Sequence, residues 1–390
     1  MPTPDFDRVI PREDSDSFKW AHYRNTGALP FWVADMDFPI APPIQAAIQE
    51  RLAHPIFGYA RAPDALPAAI QAHLQREYQW TIDPEWLVWL PGVVAGLSAS
   101  CRAWGEPGDN VLTCPPIYHH FLMVAQQTGK ALREVPLARN GADWTLDIDA
   151  LGKAADAKSR LMLLCSPHNP VGRVFTRQEL TDVCEIAARH DMIVISDEIH
   201  CELILDKSTY HIPTAKACPD HADRIVTLMS PSKTYNLSGM NCSFAIIQNP
   251  ALRQQFIRAC ESAVPMVPAF SYVAALAAYR DGREWRDALL DYLRDNYHYL
   301  KSELDPLPGL ELTPLQATYL AWIDASGLGL PNPHRFFLDA GVEFSAGREF
   351  GQGWEQFVRM NFACPRATLE QGVERIKAAV AEFPLSPGFC

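Results

Sequence analysis

Six short apolar runs constrain the fold of this chain most strongly. They lie at residues 110–114, 132–137, 161–165, 192–196, 225–229 and 244–248. Most are continuously apolar rather than alternating, which is typical of strands covered on both faces, as in a parallel sheet. Helical patterns over residues 177–190 and around residues 121–128 lie between them. This alternation predicts an α/β fold in which helices cover both sides of a mostly parallel sheet.

The pattern changes near residue 281. Apolar residues then recur every three or four positions from Trp285 to Leu304, which predicts one face of a long amphipathic helix. Strand-like stretches at 318–323, 341–345 and 357–361 and a closing helix from Thr368 follow. A chain of 390 residues suits two domains. We therefore predict an N-terminal segment (residues 1–44) that joins the small domain, a large domain (45–280) and a small α+β domain (281–390).

Composition narrows the class of protein. The net charge of −12 and the absence of a basic stripe argue against a nucleic-acid partner. The charged N-terminus does not resemble a signal peptide, and no apolar run is long enough to span a bilayer. Ten cysteines are scattered singly without a CxxC pair, so we expect reduced, mostly buried thiols. The sequence thus predicts a cytoplasmic protein with no membrane partner.

Polar residues follow three consecutive apolar runs of the predicted sheet. In an open parallel sheet, ligands bind just beyond the carboxyl ends of the strands, which is where these residues lie. Asn169 follows the third run, Asp197 the fourth and Lys233 the fifth. Taken singly, Asn169 is compatible with a turn and Lys233 with a solvated loop. In addition, a glycine-bearing turn at residues 91–98 leads into helical sequence, whose free N–H groups could bind a phosphate.

These features together match the requirements of pyridoxal phosphate. The cofactor needs an amine for its Schiff base, a carboxylate beside its pyridine nitrogen, a donor to its phenolic oxygen and a cradle for its phosphate. Lys233, Asp197, Asn169 and the turn at 91–98 supply one group each. We therefore predict pyridoxal 5'-phosphate as the cofactor, with no metal.

Several motifs resemble a known superfamily. The stretches FWVADMDF (31–38), FGYAR (57–61), SPHNPVG (166–172), SDEIH (196–200) and SKTYNL (232–237) are similar to those of the fold-type I pyridoxal phosphate enzymes, the class I/II aminotransferase superfamily. More narrowly, they resemble the MalY/PatB branch of carbon-sulfur β-lyases, which act on cystathionine and other cysteine conjugates. The resemblance covers nearly the whole chain and implies the PLP-dependent transferase-like fold, with a sheet of seven strands.

The resemblance also implies roles for individual residues. Lys233 would form the Schiff base and act as the general base, Asp197 would pair with the pyridine nitrogen, and Tyr118 would stack on the ring. The further cofactor-binding residues implied are Asn169, Val93, Val94, His200, Ser230, Ser232 and Tyr59. Tyr59 would reach the phosphate of a neighbouring subunit, so a homodimer is implied. Arg359 and Ala34 would bind the amino-acid substrate, and the guanidinium of Arg359 would bind the substrate α-carboxylate.

Two positions depart from the aminotransferase pattern. Asn241 stands eight residues after Lys233, where many aminotransferases carry a phosphate-binding arginine. His200 stands three residues after Asp197, where a tyrosine often contacts the phenolic oxygen. Both departures are typical of the lyase branch, although the exact role of His200 stays open.

The sequence therefore predicts a pyridoxal phosphate-dependent β-lyase that eliminates a thiol from cystathionine or a related cysteine conjugate. A class I/II aminotransferase is the alternative, because it uses the same residues. A binding or regulatory protein on this fold is a third hypothesis, and loss of Lys233, Asp197 or Arg359 would have favoured it.

A metal hydrolase built on the segment 197–202 is a fourth hypothesis for the function. Two observations argue against it: adjacent strand residues point to opposite faces, and the HExxH spacing of many zinc sites is absent.

The segment Tyr118-His119-His120 is interpreted as a turn with solvated imidazoles, and its histidines receive no role. Trp32 and Trp354 are interpreted as core aromatics that could also line the substrate cleft.

Overall fold

The computed structural model describes residues 4–261 and 263–383. Its strands are β1 (Leu29–Pro30), β2 (Leu87–Leu90), β3 (Asn110–Thr113), β4 (Ala131–Glu134), β5 (Ala138–Asn140), β6 (Asp143–Thr145), β7 (Ser159–Cys165), β8 (Ile193–Asp197), β9 (Ile225–Met229), β10 (Ser243–Ile247), β11 (Glu311–Leu312), β12 (Leu320–Asp324), β13 (Val342–Glu343), β14 (Ser345–Ala346) and β15 (Phe357–Asn361). Its α-helices are α1 (Phe18–Ala21), α2 (Pro42–Leu52), α3 (Ala65–Tyr78), α4 (Val93–Ala103), α5 (His119–Gln127), α6 (Ile148–Ala154), α7 (Arg177–Arg189), α8 (Thr214–Ala217), α9 (Pro250–Glu261), α10 (Ala269–Asp281), α11 (Arg283–Leu304), α12 (Pro333–Asp339) and α13 (Arg366–Glu382).

A seven-stranded sheet forms the centre of the chain, in the order β2-β10-β9-β8-β7-β3-β4. The five strands β9, β8, β7, β3 and β4 pair in parallel with one another, and β10 runs antiparallel to both β9 and β2. Every residue of β3, β9 and β10 is buried, which explains why these runs are apolar without alternation. The predicted α/β fold and seven-stranded sheet are confirmed.

Helices cover this sheet on both faces. On one face Leu97 of α4, Phe121 of α5 and Phe256 of α9 pack in one apolar cluster with the strands. On the other, Leu180 and Ile186 of α7 belong to a second cluster. The sequence explains where α7 begins, because Thr176 and Glu179 form a reciprocal capping box at its N-terminus.

A smaller sheet of order β11-β12-β15-β14 lies in the C-terminal part of the chain. The predicted periodic residues are buried along α11, which packs against α13. Two predicted strands differ from the structure. The strand predicted at 318–323 begins only at Leu320, because Thr318 has a left-handed φ of 76° that no strand accommodates. The strand predicted at 341–345 is split into β13 and β14, which belong to different sheets.

The N-terminal segment packs against this smaller unit. Strand β1 pairs in parallel with β13, and Phe6, Phe31 and Met36 share an apolar cluster with Leu289 of α11. The exact boundaries at residues 44 and 280 stay predictions.

Within the described residues, no helix is both long and apolar enough to cross a membrane. The nine described cysteines are free thiols, eight of them buried, and Cys390 lies outside the described part of the chain.

Candidate active site

The residues that follow the central strands meet at one edge of the sheet. Because β8 pairs in parallel with both β7 and β9, the carboxyl ends of these strands lie side by side. Asn169, Asp197 and Lys233 all line one cavity of about 610 Å³ at that edge. The cavity also reaches Arg359 of β15, so both sheets contribute to it.

Lys233 lies in the turn after β9, and its amine faces the cavity. Its Nζ donates a hydrogen bond to the Ala34 carbonyl at 2.7 Å. Burial and, to a lesser extent, the positive charge of Arg359 lower the pKa of Lys233 to about 8, against the opposing effects of Asp35 and Asp197. A useful fraction of the amine is therefore neutral near pH 7, as a nucleophile or a general base requires.

Asp197 is the last residue of β8, and one carboxylate oxygen accepts a hydrogen bond from the Ile199 amide at 3.1 Å. Burial, helped by the neighbouring Glu198, raises the pKa of this carboxyl to about 7 against the lowering effects of the Ile199 amide and Lys233. In the part of the chain that the structure describes, no cationic side chain forms an ion pair with Asp197. A cationic ligand nitrogen would therefore complete the surroundings of this carboxylate.

Glu198 turns away from the cavity. Its carboxylate contacts His211 Nε2 at 2.8 Å and accepts from the Thr214 amide at 2.8 Å. The carboxylates of Asp197 and Glu198 therefore point in different directions, as expected for adjacent residues at the end of a strand. Among residues 4–261 and 263–383, no cluster of three or more histidine, cysteine or acidic side chains could hold a metal ion.

Arg359 and Asn169 form a buried pair. Arg359 donates to Asn169 Oδ1 at 3.0 Å, to the Trp32 carbonyl at 2.7 Å and to Ser345 Oγ at 3.0 Å. Since Asn169 Oδ1 accepts from the guanidinium, its Nδ2 remains to donate to a ligand. Arg359 Nε is buried without a partner in the described structure. Burial lowers the pKa of Arg359 to about 10, so the side chain stays charged at neutral pH and can bind a carboxylate.

The opposite end of the cavity suits an anion. Helix α4 begins at Val93 without a side-chain cap, so the first-turn amides, including those of Val93 and Val94, are free to bind a phosphate. Ser230 and Ser232 also line the cavity, and their role in binding a phosphate stays a prediction. Ser230 Oγ donates to the Cys242 carbonyl at 2.7 Å, however, so Ser232 is the freer of the two hydroxyl donors.

Aromatic side chains form a wall of the cavity. Tyr118 lines it and lies against His119, with ring centroids 4.5 Å apart. The interpretation of His119 and His120 as solvated turn residues is wrong, because they begin α5 and line the cavity with Tyr118. Burial lowers the pKa of His119 to about 4, so its imidazole is neutral. Trp32 also lines the cavity, as one interpretation allowed.

His200 lies deeper in the same cavity. Burial, with smaller effects of the charges of Lys233 and Arg359, lowers the pKa of His200 to about 3. Its Nδ1 is buried and has no partner in the described ranges. A neutral imidazole with one open nitrogen can therefore hydrogen-bond a ligand here.

Tyr59 is not among the residues that line this cavity, and it is 97% exposed. Its predicted role in a neighbouring subunit stays a prediction.

Sequence reasoning missed Ser345, which lies opposite Arg359 in the β14–β15 pair, and Tyr319, whose hydroxyl donates to the Ala34 carbonyl at 3.1 Å. Both depend on the pairing of distant segments, and no local motif marks them.

The donor set fits pyridoxal phosphate. An unpaired buried carboxylate suits the pyridine nitrogen, an open amide donor suits the phenolic oxygen, a helix N-terminus suits the phosphate, and a partly neutral lysine suits the carbonyl carbon. A bound cofactor would also offer partners to the open nitrogens of His200 and Arg359.

The chain is similar to known proteins over nearly its whole length. The aminotransferase class I and II family matches residues 33–376. The chain belongs to this family. The cystathionine β-lyase PatB of Bacillus subtilis (strain 168) is 36% identical to the chain, covering 96% of the chain and 100% of PatB.

Two solved structures of the same fold are similar over nearly their whole lengths. That of OvoB is 42% identical, with a TM-score of 0.93, and covers 99% of this chain and 100% of OvoB. The pyridoxal phosphate-bound carbon-sulfur lyase of Staphylococcus hominis is 33% identical, with a TM-score of 0.91, and covers 97% of this chain and 98% of the lyase.

Proposed function

We propose that the chain is a pyridoxal phosphate-dependent carbon-sulfur β-lyase. The reaction converts a cysteine S-conjugate and water into a thiol, pyruvate and ammonia. The observation that carries the proposal is the cavity in which a partly neutral Lys233 lies with an unpaired Asp197 and a carboxylate-binding Arg359. The full-length similarity to PatB and to the Staphylococcus hominis lyase favours elimination over amino transfer.

Residues of this chain would hold the cofactor at four points. Lys233 would bind its carbonyl carbon, Asp197 its pyridine nitrogen and Asn169 Nδ2 its phenolic oxygen, while Tyr118 would cover its ring. The amides of Val93 and Val94 and the hydroxyl of Ser232 would hold its phosphate. When bound, pyridoxal phosphate supplies an electron sink that stabilises negative charge at the substrate Cα.

The remaining chemistry belongs to the protein. Arg359 binds the substrate α-carboxylate and so fixes the direction of the Cα–H bond. The neutral amine of Lys233 takes the Cα proton as general base. Asp197 keeps the proton at the pyridine nitrogen, which maintains the electron demand on Cα. The Cβ–S bond then breaks, and the electron pair leaves with sulfur as a thiolate.

We also infer a homodimer in which Tyr59 reaches the phosphate of the neighbouring subunit. Tyr59 lies in an exposed apolar stretch with Ile56 and Phe57, which are 67% and 57% exposed. Burying such a stretch against a second copy would remove this apolar surface from water. The free cysteines favour a reducing, cytoplasmic location.

The test compares three proteins in steady-state turnover of L-cystathionine, with pyruvate measured in the absence of any keto acid. Wild type should release pyruvate continuously, and Lys233→Ala should lose at least about three decades of rate, because a general base alone contributes 10²–10⁴-fold. Lys207→Ala is the matched control, since Lys207 lies in a surface loop with its side chain 74% exposed. Near-normal turnover by Lys233→Ala would overturn the assignment. Amino transfer that requires an added keto acid would support the aminotransferase instead.

A further inference from the structure

The Ala34 carbonyl beside the cavity accepts two hydrogen bonds. Lys233 Nζ donates to it at 2.7 Å, and the Tyr319 hydroxyl donates to it at 3.1 Å. A carbonyl oxygen has two lone pairs, so both donors can be satisfied at once. Tyr319 is only 1% exposed, and burial raises its pKa far above the ordinary value, so its hydroxyl keeps its proton.

The backbone around this carbonyl is held from several directions. Asn361 Nδ2 donates to the carbonyls of Val33 and Asp35, both at 2.6 Å, and so fixes the chain before and after the Ala34 carbonyl. The Asp35 amide, in the same peptide plane as that carbonyl, donates to the Val33 carbonyl at 3.0 Å. When Lys233 moves away, the Tyr319 hydroxyl still donates to the Ala34 carbonyl. Without Tyr319, this carbonyl would lose its second fixed donor.

Tyr319 is itself fixed. The Phe362 amide donates to the Tyr319 carbonyl at 3.0 Å, and the Thr318 amide donates to the Leu203 carbonyl at 2.8 Å. Leu203 follows β8 by a short loop, so this second bond links the smaller sheet to the loop that carries His200. The hydroxyl of Tyr319 therefore has a defined position relative to the cavity.

The arrangement orients the lone pair of Lys233. A neutral amine that donates one N–H to the Ala34 carbonyl directs its lone pair off that axis, where it can accept a proton. After proton transfer, the same carbonyl accepts from the ammonium. We propose that Tyr319 is a positioning residue for this step: by fixing the Ala34 carbonyl, it holds the Lys233 amine in the orientation that accepts the Cα proton.

This inference rests on the role of Lys233 proposed above, but not on which bond at Cβ breaks. In the step concerned, the Cα–H bond breaks, the proton passes to Lys233 Nζ and the electron pair stays with the substrate. An amino acid without a leaving group at Cβ undergoes this step but cannot complete β-elimination. L-Alanine deuterated at Cα therefore isolates it, because exchange of the deuterium with water reports proton transfer alone.

The test measures this exchange by proton NMR with cofactor-loaded wild type, Tyr319→Phe and the matched control Tyr297→Phe. Tyr297 is another buried tyrosine of the small domain, and it donates to the Thr313 carbonyl at 3.4 Å rather than to the segment around Ala34. We expect the maximal exchange rate of Tyr319→Phe to fall about tenfold, the effect of losing one orienting hydrogen bond. The alanine concentration at half-maximal rate should stay within about twofold, because Arg359 still binds the carboxylate.

A second measurement separates positioning from cofactor binding. The absorbance spectrum of the bound cofactor and its dissociation constant should match wild type in Tyr319→Phe. Wild-type exchange by Tyr319→Phe would overturn the inference, as would an equal loss in both variants or a loss that follows weakened cofactor binding. If wild type exchanges alanine but releases no pyruvate from cystathionine, the lyase proposal fails while this inference stands. If wild type exchanges nothing, both are wrong.

Discussion

A buried ion cluster near the N-terminus offers a sharp test of how the segment under the active site is held. Asp37 accepts hydrogen bonds from Lys19 Nζ at 2.7 Å, Trp20 Nε1 at 2.8 Å and Arg12 at 2.5 Å. Lys19 is only 1% exposed, so its ammonium depends on this partner. Asp37 lies three residues after Ala34, whose carbonyl accepts a hydrogen bond from the Lys233 amine.

We predict that Asp37→Asn destabilises the fold by about 3 kcal/mol. Removing one partner of a buried ion pair costs about 3–5 kcal/mol, because the other charge stays buried without compensation. The lower end applies here, since Asp35 lies 3.6 Å from Lys19 and retains part of the attraction. A loss of this size lowers the equilibrium constant for folding about a hundredfold.

The pH dependence of this loss follows from the pKa of Asp37. Burial alone would raise that pKa, but Lys19, Trp20 and Arg12 together lower it below its ordinary value. A carboxyl whose folded pKa is lowered contributes stability above its unfolded pKa of about 3.9, and the contribution is lost as pH falls through the folded pKa. The difference between wild type and Asp37→Asn should therefore be full at pH 7 and shrink below about pH 4.

Urea unfolding followed by tryptophan fluorescence measures the effect, at equal protein and cofactor concentrations. Asp16→Asn is the matched control, because Asp16 lies in the same segment and is exposed. Lys19→Met completes a double-mutant cycle, in which the combined loss should be smaller than the sum of the single losses. The reasoning is refuted if Asp37→Asn is as stable as Asp16→Asn, or if the two single losses simply add.

Three further predictions concern the cavity. Arg359→Lys should lower kcat/KM about 10–100-fold, because an ammonium cannot replace the fork geometry of the guanidinium, and comparable kinetics in the two proteins would contradict the carboxylate role. Asp197→Asn should bind cofactor yet slow deuterium exchange of L-alanine at least about a hundredfold, the usual cost of removing one preorganised electrostatic partner, and NMR showing normal exchange would exclude it from the mechanism. In the cofactor-free chain, Lys233 should be mostly protonated below pH 8 and mostly neutral above it, since its pKa is lowered to about 8. Competitive acetylation read by mass spectrometry should therefore titrate near pH 8, whereas a midpoint near 10.5 would contradict the account of its burial.

The sequence was most informative where local pattern and buried structure coincide. Strands β8 and β9 are mostly buried and mostly apolar, so Asp197 at the end of β8 and Lys233 in the turn after β9 could be placed at one edge of a sheet. Strand β2 was missed, although its four residues are apolar, because the run is short and lies between a proline-led turn and Pro91. The role predicted for Asn169 came from its position after a strand, whereas that of Arg359 came from resemblance alone. The structure adds that the two side chains bond each other.

Other features depend on contacts between distant parts of the chain. Tyr319 meets the Ala34 carbonyl across 285 residues, and Ser345 reaches Arg359 only because β14 and β15 pair in one register. Neither contact leaves a periodic or local signal. The orientation of the His119 ring into the cavity likewise follows from where α5 begins, and a pair of adjacent histidines does not reveal it.

The most direct test of the central claim is a single-turnover reaction. Cofactor-loaded protein in slight excess is mixed with L-cystathionine without a keto acid, and pyruvate, free thiol and intact thioether products are quantified together. The account predicts one pyruvate and one thiol for each cystathionine consumed. A keto acid that still contains the thioether, with no thiol released, would show that the cavity transfers the amino group and would contradict the proposed β-elimination.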